Sequence, residues 1–239
     1  MIVTSATYRQ SSQGTLADWE HDPDNRWLAR GPRVRLAAET IRDQALAASG
    51  LLVEQLGGPS VKPYQPAGLW KDLATDTEYA EETGPSLYRR SLYTYRKRTV
   101  SSPTMAVFDA PSRETCSVRP TRTNTPLQAL TLLNDVTFVE AARVLAERAL
   151  REGGSSADER IMRLFRLVLA RQPSPDELRV LTAALDRHLA QYRRNPQAAS
   201  KLVSVGRAPR AAEFDVTAVA AYTVLASLVL NLDEAITKR

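Results

Sequence analysis

Cysteine is nearly missing from this chain. Cys116 stands alone among 239 residues, which excludes an intrachain disulfide, a four-cysteine zinc site and the C-x-x-C-H attachment signal of a c-type haem. Histidine is almost as scarce. His21 and His188 lie far apart and share no metal-ligand spacing, so a metal-dependent catalyst would have to rest on carboxylates. A phosphate-cradling glycine loop, a serine-hydrolase elbow and a metal-binding helix motif are also absent. The opening residues, MIVTSATYRQSSQ, lack the basic stretch and apolar run of a secretory signal. They begin as if within a helix, with Ile2, Ser5 and Tyr8 at helical spacing, and the expectation is a fragment of something longer. Uncharged apolar runs are missing with one exception. Residues 216–232 contain no charge and approach the lower length limit of a spanning helix. Their alanines, with Thr217, Tyr222, Thr223, Ser227 and Asn231, mark a buried helix of a soluble core instead.

Arginine is plentiful. The chain has 32 basic and 27 acidic residues, a formal charge of +5 and a pI near 9.5. This mild excess suits an anionic partner, but most of the charges are assigned to the polar faces of helices. The length is enough to bury a core without a metal or disulfide staple and makes one domain or two.

Helix signals are densest after residue 124. Thr125-Pro126-Leu127-Gln128 offers a cap, a proline at the first helical position and a glutamine at the third. Ser156 with Glu159 and Ser174 with Glu177 repeat the serine–glutamate capping box. Leu127, Leu130 and Leu133 run to Asn134-Asp135, and Asp135 can cap a following helix with Phe138, Ala142, Leu145 and Ala149 on one face. Opposite them stand Glu140, Arg143, Glu147 and Arg151, read as a solvated face of pairs spaced four apart. Ile161, Leu164, Phe165 and Val168 form the next stripe, and Leu178, Leu181, Leu185 and Tyr192 the one after, with His188 at its boundary. Asn195-Pro196 starts a short helix that Gly206 can end, and Asp215, bracketed by Phe214 and Val219, caps the last apolar helix. Residues 125–239 thus read as a helical bundle.

Residues 1–58 read as N-terminal helices, chiefly one over 33–56 with Val34, Ala38, Ile41, Ala45, Ala48 and Leu52 inward, stopped by Gly57-Gly58-Pro59. Residues 59–124 are rich in proline, glycine, serine and tyrosine and too long for a structureless loop in a compact domain. Within them 87–98 and 104–111 are the expected short strands. The fold class is mainly α: a helical bundle with a long irregular segment holding one or two short β-strands.

Two stretches carry candidate chemistry. In LYRRSLYTYRKR, residues 87–98, Tyr88, Tyr93 and Tyr95 interleave with Arg89, Arg90, Arg96, Lys97 and Arg98. Ring faces and forked donors suit sugars, sulfates or single-stranded nucleic acid. The plain alternative is pairing with local acids such as Asp76, Glu78, Glu81 and Glu82. In FDAPSRETCSVRPTRTN the residues Asp109, Arg113, Glu114, Cys116, Arg119, Arg122 and Asn124 fall close together. Asp109 and Glu114 are candidates for an acid and base pair, against a network of structural ion pairs or a ligand site. Cys116 has two arginines nearby but no histidine base, and a small buried residue is the expected role.

The segments TSATYRQSS (4–12), RLAAETIRDQALAASGLL (35–52), GGPSVKPYQP (57–66), LYRRSLYTYRKRT (87–99), FDAPSRETCSVRPTRTNTPLQALTLLND (108–135) and LNLDEAITKR (230–239) together resemble the domain of unknown function 1553. That family is typical of planctomycetes and their relatives. The resemblance implies the C-terminal part of a large secreted or periplasmic protein, following a second uncharacterised domain (domain of unknown function 1549) and often a cytochrome-c-like module. It implies no established activity. It also gives proline where Val136 stands, in keeping with a helix start after Asp135.

The preferred reading is therefore a single domain that acts as a non-catalytic binding or docking module. Its partner is an anionic glycan or an N-terminal partner domain of the same kind of protein, with no cofactor of its own and no membrane span. The binding candidates are Arg89, Arg90, Tyr93, Tyr95, Arg113, Arg119, Arg122 and Asn124, and Arg89, Arg119 and Arg122 are expected to face one cleft. A polysaccharide hydrolase using Asp109 and Glu114 is the rival. Nucleic-acid binding through 89–98 ranks behind both.

Overall fold

A computed structural model describes residues 1–72, 78–114, 116–118 and 121–238. Among these residues eleven α-helices follow one another: α1 (Leu16–His21), α2 (Ala38–Ser49), α3 (Leu69–Asp72), α4 (Pro103–Val107), α5 (Pro126–Asn134), α6 (Val136–Glu152), α7 (Ala157–Leu169), α8 (Pro175–Arg194), α9 (Pro196–Val203), α10 (Val216–Leu230) and α11 (Asp233–Ile236). Two two-residue strands, β1 (Val34–Arg35) and β2 (Thr237–Lys238), pair antiparallel with Val34 opposite Lys238 and Arg35 opposite Thr237. The fold is mainly α, as the patterning implies.

The apolar run becomes α10, a helix with no polar stripe, and such a helix is stable only at the centre of a core. It packs against α6, α8 and α9, and α2 lies across α6. Ala141, Ala142, Ala146 and Ala149 of α6 and Ala220, Ala221 and Ala226 of α10 are fully buried, and their small side chains let the two helices approach closely. Phe138, Leu145, Leu164, Phe165 and Leu225 fill the space between. Truncating Phe138 to alanine would cost about 3–5 kcal/mol. No helix among the described residues is long and apolar enough to cross a membrane.

The capping signals are read correctly at Ser156 and Ser174, where both halves of the capping box form, and at Asp135, Asn195 and Asp215, whose side chains accept from the first turn. Thr125 stands at the start of α5 without a side-chain capping bond, and the Gln128 N–H donates to the Thr125 carbonyl instead.

Several expectations are corrected. The helix of the N-terminal half ends at Gly50 rather than at the 57–59 cluster: Gly50 takes φ 87° and its N–H closes onto Leu46 and Ala47. Val34, expected inward, is exposed in β1. The stretches 87–98 and 104–111 are not strands. Gly84–Tyr88 and Ser91–Tyr93 are 3-10 turns and 103–107 is α4, with Pro85 and Pro103 pre-set for the first turn. Among the described residues the ribbon's strand-like pairing to neighbouring chain is limited to isolated bridges, Val53 to Arg89 and Val61 to Thr94. Gly206 does not end α9, which stops at Val203. Leu127, Leu130 and Leu133 of α5 face outward, Leu127 and Leu130 being 57 % and 55 % exposed, while Leu132 is the leucine of this helix that enters the core. Finally, three of the four residues of the supposed solvated face of α6 are buried, Glu140 at 0 %, Arg143 at 1 % and Glu147 at 5 % exposed, and Arg151 alone of the four is exposed as expected.

Candidate anion-binding site

The ribbon from 87 to 98 folds back over α2, and charged side chains hold it there. Arg42 of α2, buried on the helix face that also carries Ala38, Ile41 and Ala45, donates from Nη2 to Leu87 O (2.7 Å) and from Nη1 to Arg89 O (2.9 Å) and Ser91 Oγ (3.2 Å). Asp43 accepts from the Ser91 N–H at 2.8 Å. Burial pulls the Arg42 guanidinium below its ordinary value, with Asp43 opposing the shift. Val61 completes the anchorage, accepting from Tyr95 N (2.7 Å) and donating to Tyr93 O (2.8 Å).

Most of the candidate side chains in this ribbon are occupied by the fold. Arg89 is buried, donates to the carbonyls of Gln55 (3.0 Å), Gly57 and Pro59 (2.9 Å), and stacks 4.0 Å over the Tyr93 ring. The Tyr93 hydroxyl accepts from Gly57 N. Arg90 reaches Glu54 at 3.4 Å and Tyr95 leans on Trp70 with ring centroids 5.9 Å apart. The acids that answer these arginines are not those nearest in sequence: Glu78 pairs with Lys71 and Glu81 with Arg207, while Asp76 lies outside the described residues.

A cavity of about 110 Å³ opens between the segments 91–102 and 105–112. Arg96, Lys97 and Arg98 line it with the hydroxyl residues Ser91, Thr94, Ser101, Ser102 and Ser112, over a floor that includes Met105 and Ala110, and among the described residues no carboxylate is part of its wall. Arg96 donates to Pro111 O and to Glu39 Oε1, each at 2.8 Å. Arg113, at φ 64°, approaches the same Glu39 oxygen at 3.8 Å. One carboxylate thus faces two guanidiniums, and positive charge is left over at the mouth. Burial lowers the Arg96 guanidinium, the Arg113 charge adds to that and Glu39 opposes it. Lys97 sits 4.5 Å over the Trp70 ring.

The second motif block is placed differently. Asp109, at φ 59°, turns its Oδ2 to Thr123 N (2.6 Å) and Thr123 Oγ1 (2.8 Å), and Gln128 Nε2 lies 3.4 Å away. Gln128, fully buried, also donates to Val107 O and accepts from Arg35. Glu114 is exposed, and no described cavity holds both it and Asp109. Arg122 donates to Arg35 O and, with Asn124, lines a separate open hollow beside Arg33 and Asp233. Arg89 and Arg122 therefore do not share a cleft, and Arg119 lies outside the described residues. Cys116, expected buried, is exposed. No cluster of metal-ligating side chains occurs among the described residues.

Sequence reasoning missed Arg42, Thr94 and Gln128. Arg42 had a signal, since it falls on the apolar face of α2; Thr94 had none.

The order and spacing of these segments can be set beside known families. A family model described as PSD1, protein of unknown function (DUF1553), matches residues 1–185. The chain belongs to this family. The span of the DUF1553 match takes in the whole cavity wall and ends within α8, while α10, beyond it, packs against α6. No match was found among curated proteins or among solved structures.

Proposed function

We propose that this DUF1553 chain is a non-catalytic binding module whose cavity between 91–102 and 105–112 receives an anionic ligand, a glycan bearing acidic substituents. The observation that carries the reading is the wall itself: three cationic side chains and five hydroxyl residues surround one hollow, with no carboxylate among the described residues that line it. A hydrolytic site needs a free acid and base, and the carboxylate of Asp109 is held by Thr123 and Gln128 instead. The test is a panel of sulfated, uronate-bearing and neutral polysaccharides. Retention is expected on the acidic members, weakening with salt, with no release of reducing ends. Equal retention on neutral chains, or turnover of any member, would sink the proposal.

A second occupant, a partner domain of the same protein, is favoured by the outward stripe of α5. Leu127, Leu130 and Leu133 are all exposed, with Val136 at the next turn, and lone apolar side chains need no partner whereas a row of them does. Leu130→Asp is expected to leave the fold intact and abolish that association, measured by co-purification with the upstream domain.

A further inference from the structure

We propose that the cavity holds a single tetrahedral oxyanion, the sulfate or phosphate monoester of a larger ligand, gripped by Arg98 and Arg96 and by the Ser112 hydroxyl. This rests on the binding reading above and names the group that the site recognises.

Size comes first. Pockets that enclose a whole small molecule run to about 300–1,000 Å³, whereas this one is about 110 Å³. It admits a charged substituent and leaves the body of the ligand outside. The polar atoms around it are incompletely used. Arg98 forms no ion pair or hydrogen bond among the described residues. Ser112 Oγ accepts from Glu114 N at 3.3 Å and so keeps its own proton to donate. These donors sit on both walls, which suits oxygens arranged in three dimensions better than the two coplanar oxygens of a carboxylate.

Glu39 is the internal competitor. Among the described residues its Oε1 is the one carboxylate oxygen within reach of Arg96 and Arg113, so it stands in for an exogenous anion while the cavity is open. A bound oxyanion would draw Arg96 from Glu39 toward the cavity. The site therefore makes opposite predictions for neighbouring charges, which a diffuse basic surface does not.

The experiment is calorimetric titration of the full chain with inorganic sulfate, inorganic phosphate, acetate, a monosulfated and a monophosphorylated monosaccharide, and the unsubstituted sugar. One site is expected, filled by sulfate or phosphate and not by acetate or the plain sugar. Arg98→Gln should weaken it roughly tenfold. Ser112→Ala should weaken it about threefold and leave the melting temperature nearly unchanged, because Ser112 is exposed. Glu39→Gln should tighten it about threefold, and Arg187→Gln, an exposed charge on α8, should change nothing. Raising the pH from 5 to 8 adds the second charge to a phosphate monoester, whose pKa is about 6, and none to a sulfate. A rise in affinity for the phosphorylated sugar alone, exceeding that for the sulfated one at pH 8, identifies phosphate as the natural group, and the reverse identifies sulfate. If a sulfated polysaccharide binds but Arg98→Gln and Ser112→Ala leave its affinity unchanged, the oxyanion site is wrong and the binding reading survives. If no polyanion binds at all, both fall.

Discussion

The bundle formed by α5 to α10 and the irregular stretch from about 53 to 124 satisfy their backbones by different means. In the bundle, helical ladders take up most peptide groups and side-chain caps close the ends, as at Ser156 and Ser174. The irregular stretch has isolated bridges instead of ladders, and arginine supplies many of the missing donors. Arg42 serves Leu87 and Arg89, Arg89 serves Gln55, Gly57 and Pro59, Arg96 serves Pro111, and Arg122 serves Arg35. The bundle uses the device where a loop crosses it: Arg143 donates to Ala208 and Pro209, beside the Glu140 carboxylate that accepts from Arg207 N and Ala208 N at 2.6 Å. Much of the basic excess is thus internal scaffolding, and a high pI by itself says little about ligands.

The largest expected effect is at Arg42. Arg42→Ala leaves two ribbon carbonyls and a buried hydroxyl without their charged donor, and a loss of about 3–5 kcal/mol is expected in denaturant unfolding. Hydrogen exchange should quicken over 87–95 before it does in α10. Arg42→Lys should recover less than half, since a single ammonium does not span the fork. A loss below about 1 kcal/mol would break the comparison.

Next comes Gly206, at φ 87°, where an added Cβ would run into the Glu140 carboxylate. Gly206→Ala is expected to cost about 2–4 kcal/mol, from backbone strain and from lifting the 206–208 loop off its acceptor. Combined with Glu140→Ala the two losses should add to less than their sum, which thermal melts of the double variant would show.

Ser174→Ala, a change confined to one capping box of the bundle, should cost about 1 kcal/mol and leave the ribbon's exchange rates alone. The smallest effect concerns acid. Hydrogen bonds from Arg171, and then from Ser174, hold Glu177 down at about 2, from an ordinary 4.5. A carboxylate lowered in the folded state stabilises above its unfolded value, and that contribution fades as pH falls from about 4.5 toward about 2. Glu177→Gln should flatten the acid limb of the stability curve in that window. An unchanged limb would show that solvent screening removes the pair's effect.

Legibility followed the same divide. Helices α6, α7, α8 and α10 could be read from period and caps because their cores are made by neighbours with the same signals. Glu140 and Arg143 could not, because helical period locates the face opposite Phe138 but does not reveal that the 206–209 loop and Tyr88, whose hydroxyl reaches Glu140 at 3.1 Å, cover it. Burial first, then Tyr64 and Glu140, push the Tyr88 phenol upward. The tyrosine-and-arginine alternation of 87–98 mimics a strand, yet with no adjacent strand to pair with, the segment settles into turns. The site was visible only in outline. The sequence points to the ribbon, but Arg89 and Tyr93, its most suggestive members, clasp each other, and the open position falls to Arg98.

The pairing of Val34 with Lys238 and Arg35 with Thr237 has a mechanical corollary. Tension applied on the N-terminal side of Val34 and the C-terminal side of Lys238 pulls both strands from the same end, so the two contacts are loaded one after the other and not together in shear. In an optical trap the ribbon should unzip at low force and free α11 while the alanine-packed pair of α6 and α10 still resists.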